Sequence, residues 1–116
     1  MTLLMLLEMV ASAFGDRLAI GTAADGVTYQ QLLDRAGAGA LVLRRHGARH
    51  VAYVGTSGAA FPVALFASAW AGVPFLPLNY RLSDDQLQAL FVNHTDVLVV
   101  ADDDAVERCR PLASSV

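Results

Sequence analysis

The sequence contains no lysine; all eight of its basic residues are arginine. This excludes chemistry that needs a side-chain amine, such as a Schiff base, and it excludes the phosphate lysine of a Walker loop. The arginines barely cluster. The longest basic run is Arg44-Arg45 and the net charge is −3, so no electrostatic footprint for a nucleic-acid backbone exists. Cysteine is almost absent too. Cys109 alone cannot close an internal disulfide, which fits a reducing cytoplasmic compartment. No histidine or acid at fixed spacing supports it as a nucleophile, so an ordinary thiol near a helix end is expected.

Charge of either sign is scarce, at 16% of residues against 55% hydrophobic, and this excludes disorder. A chain of 116 residues holds one domain at most. With few polar residues to cover it, some of its apolar surface is expected to meet more protein. Two apolar stretches imitate targeting signals. Leu3 to Ala13 ends like a signal-peptidase site, but no basic residue precedes Arg17 and Glu8 interrupts the run. Gly58 to Leu78 is uncharged for 21 residues, yet Pro62, Gly72, Pro74 and Pro77 break it where a buried helix passes into a buried strand. No transmembrane segment is expected.

Periodicity gives the element order. Leu3, Leu6, Leu7, Val10 and Phe14 fall at helical spacing. Arg17 to Thr22 reads as a strand, returning through an Asp25-Gly26 hairpin turn to Val27 and Thr28. Thr28 caps a long helix whose inner face is Tyr29, Leu32, Leu33, Ala36, Ala40 and Leu43, and which stops at Gly47. His50 to Gly55, Val73 to Leu78 and Val97 to Ala101 are apolar strands, separated by a helix over Ala59 to Ala71 and another capped by Ser83. An acidic turn and a short helix end the chain. Apolar strands alternating with helices predict an α/β fold, a parallel sheet flanked by helices. The mid-helix run Ala36-Gly37-Ala38-Gly39-Ala40 predicts close packing against another element, since each glycine there otherwise costs about 1 kcal/mol.

Few residues stand in a pattern that carries chemistry. Gly55-Thr56-Ser57-Gly58 follows a strand and opens a helix, the placement of a phosphate loop, but matches neither nucleotide-binding glycine pattern; a structural turn is expected. His46, His50 and His94 lack metal-ligand spacing, so no metal site is expected. His46 reads as a helix-end cation and His94 as a partly buried side chain or cap. Asp102-Asp103-Asp104 reads as a solvated turn, because consecutive acids do not converge on an ion. No serine stands in a nucleophile elbow. The expected catalytic set is empty.

Two stretches carry a family resemblance. Gly26-Val27-Thr28-Tyr29-Gln30-Gln31-Leu32-Leu33-Asp34-Arg35-Ala36 resembles the hydrophobic-Thr-Tyr-x-x-Leu start of the first long helix in adenylate-forming enzymes. HVAYVGTSGAAFPVALFASAWAGVPFLPLNYRLS resembles their strand, turn, apolar helix and Pro-Leu-Asn-x-Arg-Leu-Ser segment. The motif residues are Thr28, Tyr29, Pro77, Asn79 and Arg81. Peptide-synthetase adenylation domains usually carry a Val-Asp-Pro type sequence in place of the Pro77 to Ser83 segment, so acyl-CoA synthetases, including fatty-acid–CoA ligases, fit better.

The resemblance implies that residues 1–116 are an incomplete N-terminal subdomain of an AMP-binding domain. The parent would join ATP and a carboxylic acid as an acyl-adenylate, whose AMP the thiol of CoA displaces, with ATP, Mg2+ and CoA as its cofactors. The phosphate loop, ribose aspartate and catalytic lysine of the family would all lie beyond Val116, and the final residues carry no stop signal. The chain by itself is therefore expected to be an inactive scaffold without cofactors, partnered by the remainder of the ligase or by self-association. Arg81, in the family's Asn-x-Arg position, is expected to pin the loop before the Ser83 helix. Arg108 and Arg110 are candidates for the CoA phosphates, because some CoA ligases place arginines nearby. The alternatives are an acyl-AMP ligase that loads a carrier protein, and a stand-alone, non-catalytic α/β binding module.

Overall fold

A computed structural model describes residues 2–22, 24–55, 60–78, 81–94 and 96–113. Its elements follow the expected order: α1 (Leu3–Phe14), β1 (Leu18–Ile20), β2 (Val27–Thr28), α2 (Tyr29–Arg45), β3 (His50–Val54), α3 (Ala60–Ala71), β4 (Phe75–Leu78), α4 (Asp84–Val92), β5 (Val97–Ala101) and α5 (Asp103–Ala113). Local signals set most boundaries. Thr28 and Ser83 each accept a hydrogen bond from the backbone N–H three residues on, while Gln31 and Gln86 reach back to the cap N–H at 2.9 Å. These are two complete capping boxes. Helices α2 and α3 both stop at a glycine with positive φ, Gly47 at 63° and Gly72 at 75°. In each case the next residue donates back to the carbonyl five positions earlier, Ala48 to Leu43 and Val73 to Ser68, both at 3.0 Å.

Strands β3, β4 and β5 form a parallel sheet in the order β4-β3-β5, and β1 pairs with β2 in a separate antiparallel hairpin. Side chains of β3 alternate between two cores. Ala52 and Val54 join Leu87, Phe91, Ala105 and Cys109 beneath α4 and α5. On the other side Val51 packs with Leu43 and Ala67 of α2 and α3, alongside Phe75, Leu98 and Val100. Helices thus cover both faces, as parallel sheets require.

The glycines of α2 serve the α2–α3 contact. A β-carbon on Gly37 would lie 3.1 Å from the Trp70 ring, and one on Gly39 would lie 2.8 Å from the Ala67 β-carbon. Coverage of this face is incomplete: an apolar cleft of about 230 Å³ remains between α2, α3 and the sheet, lined by Gly39, Val42, Leu43, Val51, Leu98 and Val100.

Three expectations are corrected. On α1 the buried residues are Leu7 and Ala11, whereas Leu3, Leu6 and Phe14 are exposed. Apolar residues surround that helix, so tertiary packing selected the inner face; Phe14 instead lies 4.7 Å beneath the Arg17 guanidinium. The hairpin is wider than a two-residue turn, because Ile20 pairs with Val27 and the chain leaves β1 at Gly21. Finally, Asp103 begins α5 rather than lying in a turn, since the Asp102 side chain caps the helix.

Burial predicts unequal costs at neighbouring positions of α4. Phe91 is 1% exposed and Val92 60%. Phe91→Ala should destabilise the chain by about 3–5 kcal/mol and Val92→Ala by less than about 0.5 kcal/mol, read from urea midpoints.

Candidate functional site at the carboxyl edge of the sheet

Parallel strands bring their carboxyl ends to one edge, which is where open α/β sheets bind ligands. Here β3 runs out into Gly55 and β5 into Asp102. The Asp102 N–H donates to the Val54 carbonyl at 3.3 Å. Its Oδ1 accepts from the Ala105 N–H at 2.9 Å, capping α5. Its Oδ2 lies 2.6 Å from where a β-carbon on Gly55 would be. One carboxylate therefore holds the start of α5 against the turn that leaves β3. Tyr53, buried one residue before Val54, packs edge-on against Phe61 at 5.2 Å between ring centres. Burial, with the Asp102 charge as a smaller contribution, pushes its phenol up, so Tyr53 stays protonated and is no base.

Arg108 and Arg110 lie on α5, and the structure does not bring them together. Two residues apart on a helix, they project about 200° from each other. The half-buried Arg108 donates from Nε to Asp84 Oδ1 at 2.5 Å and from Nη2 to the Leu82 carbonyl. Arg110 is exposed and pairs with Glu107 at 3.3 Å. Arg108 thus grips the loop ahead of the Ser83 helix. That pairing spans 24 residues to Asp84, and no local pattern announces it. Arg81 lies in the same loop with its side chain exposed.

Of the remaining motif residues, Thr28 is the α2 cap and Tyr29 opens α2, its N–H donating to the Arg17 carbonyl at 3.0 Å. They hold the hairpin to the long helix. Pro77 sits in β4 opposite Tyr53, and as an edge strand β4 tolerates a residue without an N–H. Asn79 lies outside the described residues, as do Thr56, Ser57 and Gly58 of the glycine-rich turn. His46 is the C-cap of α2. At the opposite edge of the sheet His94 bonds the Leu90 carbonyl through Nδ1 at 2.8 Å and meets the His50 ring edge-on at 5.1 Å. Among the described residues no three acidic, histidine or cysteine side chains converge on a metal position. No helix among them is long and apolar enough to cross a membrane.

Cys109 is buried against the sheet. Burial raises its thiol pKa; Arg108 opposes this, while Asp84 and Asp102 add to it. At neutral pH it stays a thiol, so a thiol-reactive reagent should label it at the rate of global unfolding rather than on mixing. Gly55→Ala should cost about 1–3 kcal/mol, because the new methyl displaces the Asp102 carboxylate from its cap. The penalty should shrink in an Asp102→Ala background, which a double-mutant cycle by chemical denaturation measures.

Comparison with known proteins gives this edge its context. The pattern of the AMP-binding enzyme family matches residues 7–116. No curated protein matches the chain. A benzoate CoA ligase from Burkholderia xenovorans LB400 superposes with a TM-score of 0.89 at 21% identity, over 100% of this chain and 24% of that one. A structure described as a long-chain-fatty-acid CoA ligase from Rhodopseudomonas palustris CGA009 gives 0.88 at 27% identity, over 100% and 30%. ATP-bound MatB from Rhodopseudomonas palustris gives 0.76 at 28%, over 99% and 24%. The chain spans less than a third of the length of each of these structures. Its layers are those of the N-terminal subdomain of adenylate-forming enzymes. With a family pattern that runs through nearly all of the polypeptide, the chain belongs to the AMP-binding enzyme family.

Proposed function

We propose that this chain is the N-terminal part of an ATP-dependent carboxylic acid–CoA ligase, that it supplies scaffold, and that it is not catalytic alone. In the parent a carboxylate oxygen attacks the α-phosphorus of ATP and expels pyrophosphate. The CoA sulfur then attacks the acyl carbon, and AMP leaves. ATP, Mg2+ and CoA belong to that parent, and a fatty or aryl acid is the substrate class it resembles most.

The observation that carries this proposal is the family match over residues 7–116, set beside coverage of only 24–30% of solved ligases. The side chains agree with a scaffold. The chain has no lysine to place on a phosphate or a reacting carboxylate. Asp102 is occupied as a cap, Tyr53 is held neutral, and Cys109 is buried. What these residues accomplish is positional: they fix the carboxyl edge of the sheet. The remainder of the ligase is the proposed partner of the apolar cleft beside β5 and of the exposed Leu3, Leu6 and Met9 on α1. Of the two candidate arginines, Arg110 is the better placed for a CoA phosphate. Arg108 would have to leave Asp84 and the Leu82 carbonyl to reach one.

Calorimetric titration of the isolated chain with Mg-ATP should show no binding in the millimolar range, and no pyrophosphate should be released with benzoate or fatty acids. Pyrophosphate release by this polypeptide alone would overturn the scaffold assignment.

A further inference from the structure

The outward face of α2 carries a pattern that the fold does not use. Asp34, Ala38, Leu41 and Arg45 are spaced by four, three and four residues, which places them in one stripe within about 60° of arc. All four are exposed, Leu41 by 54%. Asp34 uses Oδ1 to accept from Gln30 Nε2 at 3.0 Å, and its second oxygen has no hydrogen-bond partner among the described residues. Arg45 has no ion pair or hydrogen-bond partner among the described residues. An acid and a base thus bracket a small residue and a large one.

The stripe is complementary to itself when reversed. Two copies of α2 laid antiparallel, with a two-fold axis between Gly39 and Ala40, bring Asp34 level with Arg45 of the second copy. Arg45 meets the second Asp34 in turn, and each Leu41 fits over an Ala38. Four layers result, small against large in the centre and opposite charges at both ends. The alternating four-three spacing is that of a knobs-into-holes seam. Such self-complementarity is what an isologous dimer requires.

We infer that a second copy of this chain docks on the outer face of α2, as an antiparallel helix pair through Asp34, Ala38, Leu41 and Arg45. The occupant is another AMP-binding chain of the same sequence, and the contact is independent of the apolar cleft and of the ligase assignment. A single helix pair buries less than a standard interface, so the dimer is weak, with dissociation in the micromolar range.

Sedimentation equilibrium of the whole chain tests this with charge exchange. The unmodified chain should dimerise across the micromolar range. Asp34→Arg and Arg45→Asp, each alone, place like charges in both end layers, and each should raise the dissociation constant by about tenfold or more. An equimolar mixture of the two variants restores both opposite pairs and should dimerise as the unmodified chain does. Far-UV circular dichroism of each variant verifies that α2 stays folded. A strictly monomeric unmodified chain, dimers indifferent to both variants, or a mixture that stays monomeric would each overturn the proposal.

Discussion

Everything in this fold is arranged around β3, a strand with no side facing water. Val51, Ala52, Tyr53 and Val54 are between 0% and 3% exposed, and β4 and β5 take up both of the strand's edges. A backbone so enclosed must satisfy every polar group within the sheet. Its side chains must be apolar in both directions, and both cores must be filled from elsewhere in the chain. That requirement places α2 and α3 on one face and α4 and α5 on the other.

The same constraint sets the chemical character of the carboxyl edge. Strands in parallel deliver Gly55 and Asp102 together, and a carboxylate arriving beside a helix start finds donors there. Asp102 takes the Ala105 N–H and closes on Gly55, so this carboxylate serves structure. Arg108 makes a comparable link at the rim, joining α5 to the start of α4. These contacts stiffen an edge whose reactive partners, in a ligase, are expected from other parts of the polypeptide. Family membership and the absence of a catalytic set among the described residues are therefore compatible.

Helix α2 shows how one element meets two demands. Its inner face is kept small at Gly37 and Gly39 so that Trp70 and Ala67 of α3 can approach. Helical propensity is sacrificed there, and the loss is offset by close packing, by the Thr28–Gln31 capping box and by Arg44 and Arg45 in the last turn. Its outer face, relieved of any packing role, holds the mirrored charges and the exposed Leu41.

Element type and order were legible in the sequence because their causes are local. A capping hydroxyl lies three residues from its glutamine, a stop glycine sits one or two residues past its helix end, and a short apolar run such as Val51 to Val54, bounded by turn residues, reads as buried strand. The family could be read from Pro77 through Ser83 for a related reason: a short segment with several fixed residue types leaves few alternatives. Tertiary structure alone decided which side of α1 faces inward, because Leu3, Leu6 and Leu7 are equally apolar and only their neighbours distinguish them. It also decided that Arg108 grips the Leu82 loop and that Asp102 closes on Gly55. Those contacts join residues dozens of positions apart, and their energies depend on distances that no spacing along the chain encodes.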